Sequence, residues 1–423
     1  MFVSVDLGNT LITMMTAERQ ADGTFRILAI EKEETPIDSI QNGIVRKPSE
    51  IASTITQMVK KMENRLENKL GKKYEIKNFY TAVNGRSLRS IRHDVLHSFS
   101  GATEIGATEI NALRKELIDT LDTPRHVYNI SNEEYIIDGA YVRNPQGIVC
   151  REIIANYLMV LGRTDIRENL DKCIERIPID DVYSDALAPI AMSDALLSDD
   201  DRLNGVVHLN FGATTTTVAV YQGNYLRHLA VVPFGGKHIT TDLCSKLEMT
   251  QNEAELVKKQ KGTPVIAKAK SRQISMPVKP GMEERKLQLE DVANIIEARL
   301  SEIVNLCMRE VEHSGFADKI KNGIVVSGAT TRMSDFNEYL ATKTEMEVRS
   351  GSLSHLVSGE YPDADIEYPL LVGLLVNADK VSVQEFKIEE KPQPIGGTTT
   401  TKKTKFGWFE RLLFDPETPT IED

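Results

Sequence analysis

Apolar and polar positions along this chain switch repeatedly between a period of two and a period of 3.6, so strands and helices alternate. Phe2–Met15, FVSVDLGNTLITMM, is a β-branched and apolar run broken by a turn at Gly8–Asn9, with a hydroxyl at Thr10, and it resumes as a second strand. Val206–Val220, VVHLNFGATTTTVAV, repeats that plan with its turn at Gly212–Ala213 and threonines at Thr214 and Thr215. Each stretch predicts a hairpin whose tip exposes backbone N–H groups and hydroxyls, the equipment for holding a polyphosphate. A Thr-rich hairpin is by itself more often a sheet edge; the repetition makes the pair informative and predicts a duplicated domain closing on one phosphate from both sides. Phe25–Lys32 predicts a third strand. Ile51, Ile55, Met58, Val59, Met62 and Leu66 recur at helical spacing behind Ser49, a candidate cap. Phe79–Val83 predicts a buried strand ending at Asn84–Gly85, so residues 1–83 read as a layered α/β half-domain.

Residues 84–163 differ in character. Ser87–Ser98 alternates charged and apolar residues, Ile110, Leu113, Leu117 and Leu121 mark a helix, and Val127–Ile137 a strand before the loop Asp138–Gly147. This predicts a compact α+β insert, the alternative being a continuation of the first domain. Further on, Val182–Tyr183 is strand-like, Ala186–Leu197 a small-residue helix and Asp199–Asp201 an acidic turn. Past the second hairpin, Gly235–Gly236 opens a helix through Leu247, whose N-terminus offers free N–H groups and a positive dipole end. Gln251–Lys261 is helical, with Glu255 and Lys258 one turn apart, either a site pair or a surface ion pair. Gly262–Pro280 carries Lys268, Lys270, Arg272 and Lys279 without an acid, either a protected edge strand or a patch for an acidic peptide. Leu289–Ser314 is the longest helix. Gly323–Ser334 is a strand entering the turn Gly328–Ala329, small enough for close approach of an adenosine. Tyr368–Ala378 predicts a small-residue helix and Val381–Phe386 a last strand.

Composition narrows the classes. The 423 residues suffice for two or more domains, and 41% hydrophobic with 27% charged residues is ordinary for a globular chain. A net charge of −11 argues against nucleic acid as the main partner. Cys150, Cys173, Cys244 and Cys307 lack metal-ligand spacing and read as reduced cytosolic thiols. No signal peptide is expected, and no run reaches the roughly 18 apolar residues of a membrane-spanning helix. Glu389–Lys405, with its prolines, Gly396–Gly397 and Thr398–Thr401, reads as a disordered tether. It leads into Lys405–Phe414, KFGWFERLLF, an amphipathic helix presenting Phe406, Trp408, Phe409, Leu412 and Leu413 with Arg411 near its polar edge. The two readings are a helix folded back on the body and a helix lying in a membrane interface, and the second is preferred. Partial immersion of its apolar side chains gives on the order of 5–8 kcal/mol before ordering costs. One copy attaches weakly, so firm attachment predicts self-assembly.

Two phosphate hairpins, the Gly-Gly helix start, Ala254–Lys258 (A-E-x-x-K) and the late Gly-small turn resemble the actin/Hsp70/sugar-kinase superfamily. The insert segment HVYNISNEEYIIDGAYVRNPQGI (126–148), the tether and the terminal helix resemble the bacterial cell-division protein FtsA family over nearly the whole chain. The resemblance implies an actin-like duplicated fold with ribonuclease H-like halves and a 1C-type (SHS2) insert. It implies subdomain 1A at 1–83 and 164–204, 1C at 84–163, 2A at 205–240 and 316–386, and 2B at 241–315. A flexible linker at 387–404 and a membrane-targeting helix at 405–415 would follow. It implies ATP with Mg, self-assembly into filaments, membrane attachment, docking of the acidic FtsZ C-terminal peptide on 2B with Arg299 helping to hold it, and contacts of 1C with later division proteins. The site residues carried over are Asp6, Gly8, Asn9, Thr10, Asn210, Gly212, Ala213, Thr214, Thr215, Gly235, Gly236, Glu255, Lys258, Gly328 and Ala329, with Asp6 toward the metal.

The departures matter. The first loop keeps the acid, glycine and hydroxyl but has Leu11 where the family pattern D-I-G-T-T-K ends in lysine. The second, usually D-I-G-G-G-T-T-D, begins with Asn210 and ends with Thr217, so both acids are lost. Asn keeps the shape of Asp but cannot serve as a base. Affinity is shared among many contacts, whereas hydrolysis tolerates little misplacement, which can cost about 100-fold. Nucleotide binding with slow or no hydrolysis is therefore expected. The contrasting class, an ATP-dependent kinase, needs the carboxylate missing at 210 and has no use for a tethered amphipathic helix. A pilus-assembly or cell-shape relative is disfavoured by the insert and by the C-terminal place of the anchor.

Overall fold

The computed structural model describes residues 1–120, 125–276, 285–358 and 368–388. The tether from 389, the helix expected at 405–415, Leu121 and Lys279 lie outside the described residues.

Strands β1 (Phe2–Leu7), β2 (Leu11–Arg19) and β3 (Phe25–Glu34) form an antiparallel meander, followed by the small ribbon β4 (Ile40–Gln41) and β5 (Ile44–Val45). Helix α1 (Pro48–Leu70) then crosses to β6 (Asn78–Val83), which lies parallel to β1. Lys47 precedes the helix without a side-chain cap and Pro48 opens it, correcting the assignment of Ser49. Proline's fixed φ and missing N–H suit that first helical position. Ile51, Ile55, Met58, Met62 and Leu66 of α1 are buried against Val3, Val5, Ile12, Met14 and Leu28, as their 3.6 and 2 periods require.

The chain then builds a separate antiparallel sheet from β7 (Arg89–Glu104), β8 (His126–Ile137), β9 (Ala140–Val142) and β10 (Val149–Gly162), in the order β7-β10-β8-β9. Helix α2 (Ala107–Thr120) covers one face through Leu113 and Leu117, which share a core with Val95, Tyr135, Ile153 and Tyr157. On the opposite face Leu96, Ile154, Ile136 and Tyr141 stand directly opposite one another across all four strands. Leu96 is 56% and Tyr141 75% exposed. The near end of this sheet rests on the second half of the molecule, through the bidentate Arg227–Glu134 pair at 3.0 Å and Arg92 donating to the Ser314 carbonyl at 2.7 Å.

Helix α3 (Thr164–Ile174), strand β11 (Asp181–Leu187) parallel to β6, helix α4 (Ala188–Leu196) and the short α5 (Asp199–Asn204) complete the passage to the second half. The expected acidic turn at Asp199–Asp201 is this last helix, because Ser198 and Asp201 form a reciprocal capping box. Strands β12 (Val206–Phe211), β13 (Thr216–Gln222) and β14 (Tyr225–Val232) repeat the meander. Helices α6 (Gly236–Leu247), α7 (Gln251–Lys261) and α8 (Ile266–Ala269) follow, then the ribbon β15 (Gln273–Met276) and β16 (Arg285–Gln288). Helix α9 (Leu289–His313) leads to β17 (Ile324–Ser327), helix α10 (Phe336–Thr344) and β18 (Val348–Ser350), the strands parallel to β12 and to each other.

The two large sheets share one topology. The first runs β3-β2-β1-β6-β11 and the second β14-β13-β12-β17-β18, each a meander extended by two parallel strands. One face of the second sheet buries Val207, Leu209 and Phe211 with Ile296, Leu300 and Ile303 of α9. Its other face places Val206, Ala219 and Leu229 in one buried cluster with Met15, Ile27, Ala195 and Leu196.

The end of the described chain returns to the first half. Strand β19 (Val357–Ser358) pairs in parallel with β3. Helix α11 (Pro369–Ile388) packs on α4 and β1, burying Leu370 and Leu374 with Ala188, Ala191 and Met192. The range 316–386, expected with the second half, is therefore divided, because β19 finds an open edge on β3. The strand expected at Val381–Phe386 is helical, a continuation of α11.

Candidate functional site

Matching hairpins bring their tips together between the two halves. In the first, the Gly8 N–H donates to the Leu11 carbonyl at 3.1 Å; in the second, the Gly212 N–H donates to Thr215 at 2.9 Å. Asn9 Nδ2 donates to Thr214 Oγ1 at 2.8 Å, a direct bond from tip to tip. The Asn9 carbonyl oxygen accepts from the Gly43 N–H at 3.1 Å, and Thr35 Oγ1 donates to the Gly8 carbonyl at 2.8 Å, so ribbon and loop brace the first tip. Thr10 is exposed beside them, and its carbonyl takes the Thr35 N–H at 3.0 Å.

Asp6, next to last in β1, lies at the base of the first tip, and its carboxylate makes no hydrogen bond or ion pair among the described residues. Burial pushes its carboxyl up to about 6, since a charge taken from water without a partner favours its neutral form. An orphaned acid at the base of the two tips suits a cation held jointly with an anionic ligand. Among the described residues no cluster of three His, Cys, Asp or Glu forms a metal site, so Mg would take most of its ligands from phosphate and water.

The second tip is locked from behind. The Gly236 N–H donates to the Gly212 carbonyl at 3.0 Å and the Lys237 N–H to the Ala213 carbonyl at 2.7 Å. These donors were expected to be free for a phosphate at the start of α6. They are consumed in docking the helix on the hairpin instead, and Gly235 N–H is taken by His238 Nδ1 at 3.0 Å. A Cβ on Gly235 would lie 2.5 Å from the Gly212 carbonyl oxygen, so only glycine permits this approach. Lys258 is 7% exposed and donates to the Gly236 carbonyl at 3.0 Å, Thr240 Oγ1 at 2.8 Å and Glu255 at 2.7 Å. It is a buried brace under the start of α6, not the surface ion pair that spacing alone allowed. Burial lowers the ammonium of Lys258 against the pull of Glu255. Burial also raises the Glu255 carboxyl, but hydrogen bonds from Lys258 and Thr240 outweigh it and hold the group below its ordinary range.

The third contributor is the turn after β17. Gly328 has φ +95°, a conformation glycine adopts freely, and a Cβ there would meet the Phe211 carbonyl oxygen at 2.4 Å. Ala329 opens a 3-10 turn whose Thr330 Oγ1 donates to the Gly212 carbonyl at 3.2 Å. Asn210 stands beside it, its Oδ1 3.2 Å from Ser327 Oγ, which continues to His208 at 2.8 Å. Ser327, His208, Thr35 and Gly43 escaped the sequence reading; the one local signal was a histidine inside the apolar run VVHLNF.

Arg299 lies apart from these tips, on α9. Its guanidinium is already engaged, donating to Asp242 of α6 at 2.6 and 3.1 Å and to Glu302. Those hydrogen bonds, led by Asp242, raise its pKa further. Lys268 is paired with Asp335 at 2.7 Å and with Glu338, so the basic stretch 262–280 is partly neutralised by α10.

The family profile described as "Cell division protein FtsA" matches residues 207–368. Curated FtsA proteins are similar over longer spans. The Neisseria meningitidis protein is 25% identical over 417 residues, 97% of each chain, and that of Porphyromonas gingivalis 27% over 342 residues, 80% of this chain and 69% of its own. Among solved structures, a chain of the PilM-PilN type IV pilus biogenesis complex superposes with a TM-score of 0.60 at 12% identity, over 89% of this chain and 98% of its own. MreB5 of Spiroplasma citri bound to AMPPNP gives 0.52 at 14% identity, over 91% and 98%. Twin sheets of one topology, hairpins meeting tip to tip and relatives matching almost end to end lead to one conclusion: the chain has an actin-like fold and is similar to the cell-division protein FtsA family.

Proposed function

We propose that this protein is a membrane-tethered, polymerising scaffold that binds ATP with Mg between its two hairpin tips and anchors the FtsZ ring at the division site. The observation that carries the nucleotide reading is the tip-to-tip contact Asn9–Thr214 with the unpaired Asp6 carboxylate at its base. A polyphosphate entering there takes over the donors that the tips now spend on each other, so the nucleotide state sets how the halves close. The similarity to an MreB5 structure bound to AMPPNP supports the same ligand class. Asn210 in place of an acid leaves the second tip without a base, which supports binding with slow hydrolysis.

Self-assembly and recruitment are supported by the apolar row Leu96–Ile154–Ile136–Tyr141, exposed at both ends and half-buried between, an uncommon feature for a surface without a partner. An acidic peptide on the second half has to replace Asp242 as the partner of Arg299, or share its guanidinium. Among the described residues no helix is long and apolar enough to cross a membrane. Attachment through Lys405–Phe414 remains the reading its composition supports.

Liposome co-sedimentation of the full chain and of a truncation at Lys391, with and without ATP, tests this function. The full chain should pellet with lipid, more strongly with ATP, and the truncation should not. Equal pelleting of both chains rejects the tether. A pull-down with an FtsZ tail peptide, comparing wild type with Arg299→Glu, tests the docking site.

A further inference from the structure

Behind Asn210 a string of buried side chains decides what its amide offers to the cleft. Asn210 is placed with Oδ1 3.2 Å from Ser327 Oγ, Ser327 Oγ lies 2.8 Å from His208 Nε2, and His208 Nδ1 lies 2.9 Å from Ser193 Oγ on α4. Ser193 Oγ is also 2.9 Å from the carbonyl oxygen of Pro189, one turn earlier. Ser193 is 0%, His208 2% and Ser327 2% exposed, so no bulk water repairs a mismatched donor or acceptor.

The string can be solved by counting protons. The Pro189 carbonyl only accepts, so that contact consumes the single hydroxyl proton of Ser193. Ser193 Oγ must then accept from Nδ1–H of His208. Burial keeps the imidazole neutral, with its pKa pushed down to about 3, so it carries one N–H and Nε2 is an acceptor. Ser327 gives its proton to Nε2, and its oxygen is left to accept from the amide. The only side-chain donor of Asn210 is Nδ2, so the count calls for the amide turned by half a revolution from its placed orientation, with Nδ2 on Ser327 and the carbonyl oxygen toward the cleft. Running the string the other way makes three bonds instead of four, because the Ser193–Pro189 contact is lost. The two ends of an amide exchange by a half-turn of its last torsion with the same outline, so 3.2 Å suits either end at Ser327.

We propose that Ser193, His208 and Ser327 are positioning residues that hold the Asn210 carbonyl oxygen toward the cleft, as acceptor for a water on the divalent cation of a metal–nucleoside triphosphate. The inference rests on the nucleotide reading of the cleft and adds to it a preference for metal-bound over free nucleotide. Asp6, without a partner of its own, is the second group that favours the cation. The relay also links α4, in the first half, to the tip of the second.

Two measurements test it. Long-range 15N–1H correlation of the full chain should find His208 as the Nδ1–H tautomer. ATP affinity with and without Mg2+ should then be compared in wild type, Ser193→Ala and Ser193→Ala/Asn210→Asp. Without the Ser193 hydroxyl the ring turns to Nε2–H and the amide reverses, so the gain from Mg2+ should shrink about five-fold, the worth of one hydrogen bond. Asn210→Asp should restore it, since a carboxylate offers an oxygen at both ends. An Nε2–H tautomer in wild type with ATP still bound, or an equal Mg2+ gain in wild type and Ser193→Ala, overturns the relay alone. Failure of wild type to bind ATP at all overturns the nucleotide reading and the cation contact with it.

Discussion

At the residue scale, Asp6 holds free energy that a ligand can release. Its carboxyl is raised from 3.8 to about 6, so folding favours its protonated form. The stabilisation is complete below the unfolded value and is lost as pH rises through the folded one. Two units correspond to at most about 3 kcal/mol, and partial exposure reduces that. Asp6→Asn should therefore raise stability by about 1–2 kcal/mol at pH 8 and leave it unchanged near pH 3, as thermal unfolding across pH will read. The Asp and the glycine of this loop were legible in the sequence; the isolation of the carboxylate was not, because it depends on which groups the other strands bring near. Gly328 gives a second expectation. With φ +95° and the Phe211 carbonyl against its Cα, Gly328→Ala should cost about 2–3 kcal/mol in denaturant unfolding.

At the scale of elements, α6 is joined to the second hairpin by its own first N–H groups and held there by Lys258. Lys258→Met leaves the Glu255 carboxylate and the Gly236 carbonyl without that donor, and should cost about 2–3 kcal/mol. Replacing both members, Lys258→Met with Glu255→Leu, should recover much of it, which a double-mutant cycle measures. Spacing placed this pair on one helical face correctly. Only the packing of α7 under α6 made that face a buried one. The sheet β7-β10-β8-β9 behaves differently. Leu96→Lys with Tyr141→Lys removes exposed apolar area without touching its core, so the melting temperature should hold while self-association in sedimentation falls. Alternation along β7 was readable, but the row appears only when four registers are aligned.

Across the whole molecule, α11 ties the end of the described chain to the first sheet and presses on α4, the helix that supplies Ser193. A Cβ on Gly373 would lie 1.9 Å from the Ala191 carbonyl oxygen, so the two helices touch backbone to backbone. Gly373→Ala should force them apart, costing about 1–3 kcal/mol, and should weaken ATP affinity although it is remote from both tips. Calorimetry for stability and titration for affinity read the two effects. Short-range chemistry let the sequence alone settle the twin hairpins, the long amphipathic helices α1 and α9 and the separate character of the insert. Periodicity and turn residues act within a few positions, and the chain carries them openly. Tertiary structure decided the rest: that α11 and β19 serve the first half, that the N–H groups opening α6 are already spent, that Arg299 is held by Asp242, and that a serine on α4 bears on Asn210. Each of these joins residues far apart in sequence, where partners are chosen by burial and by the count of donors and acceptors that folding brings together.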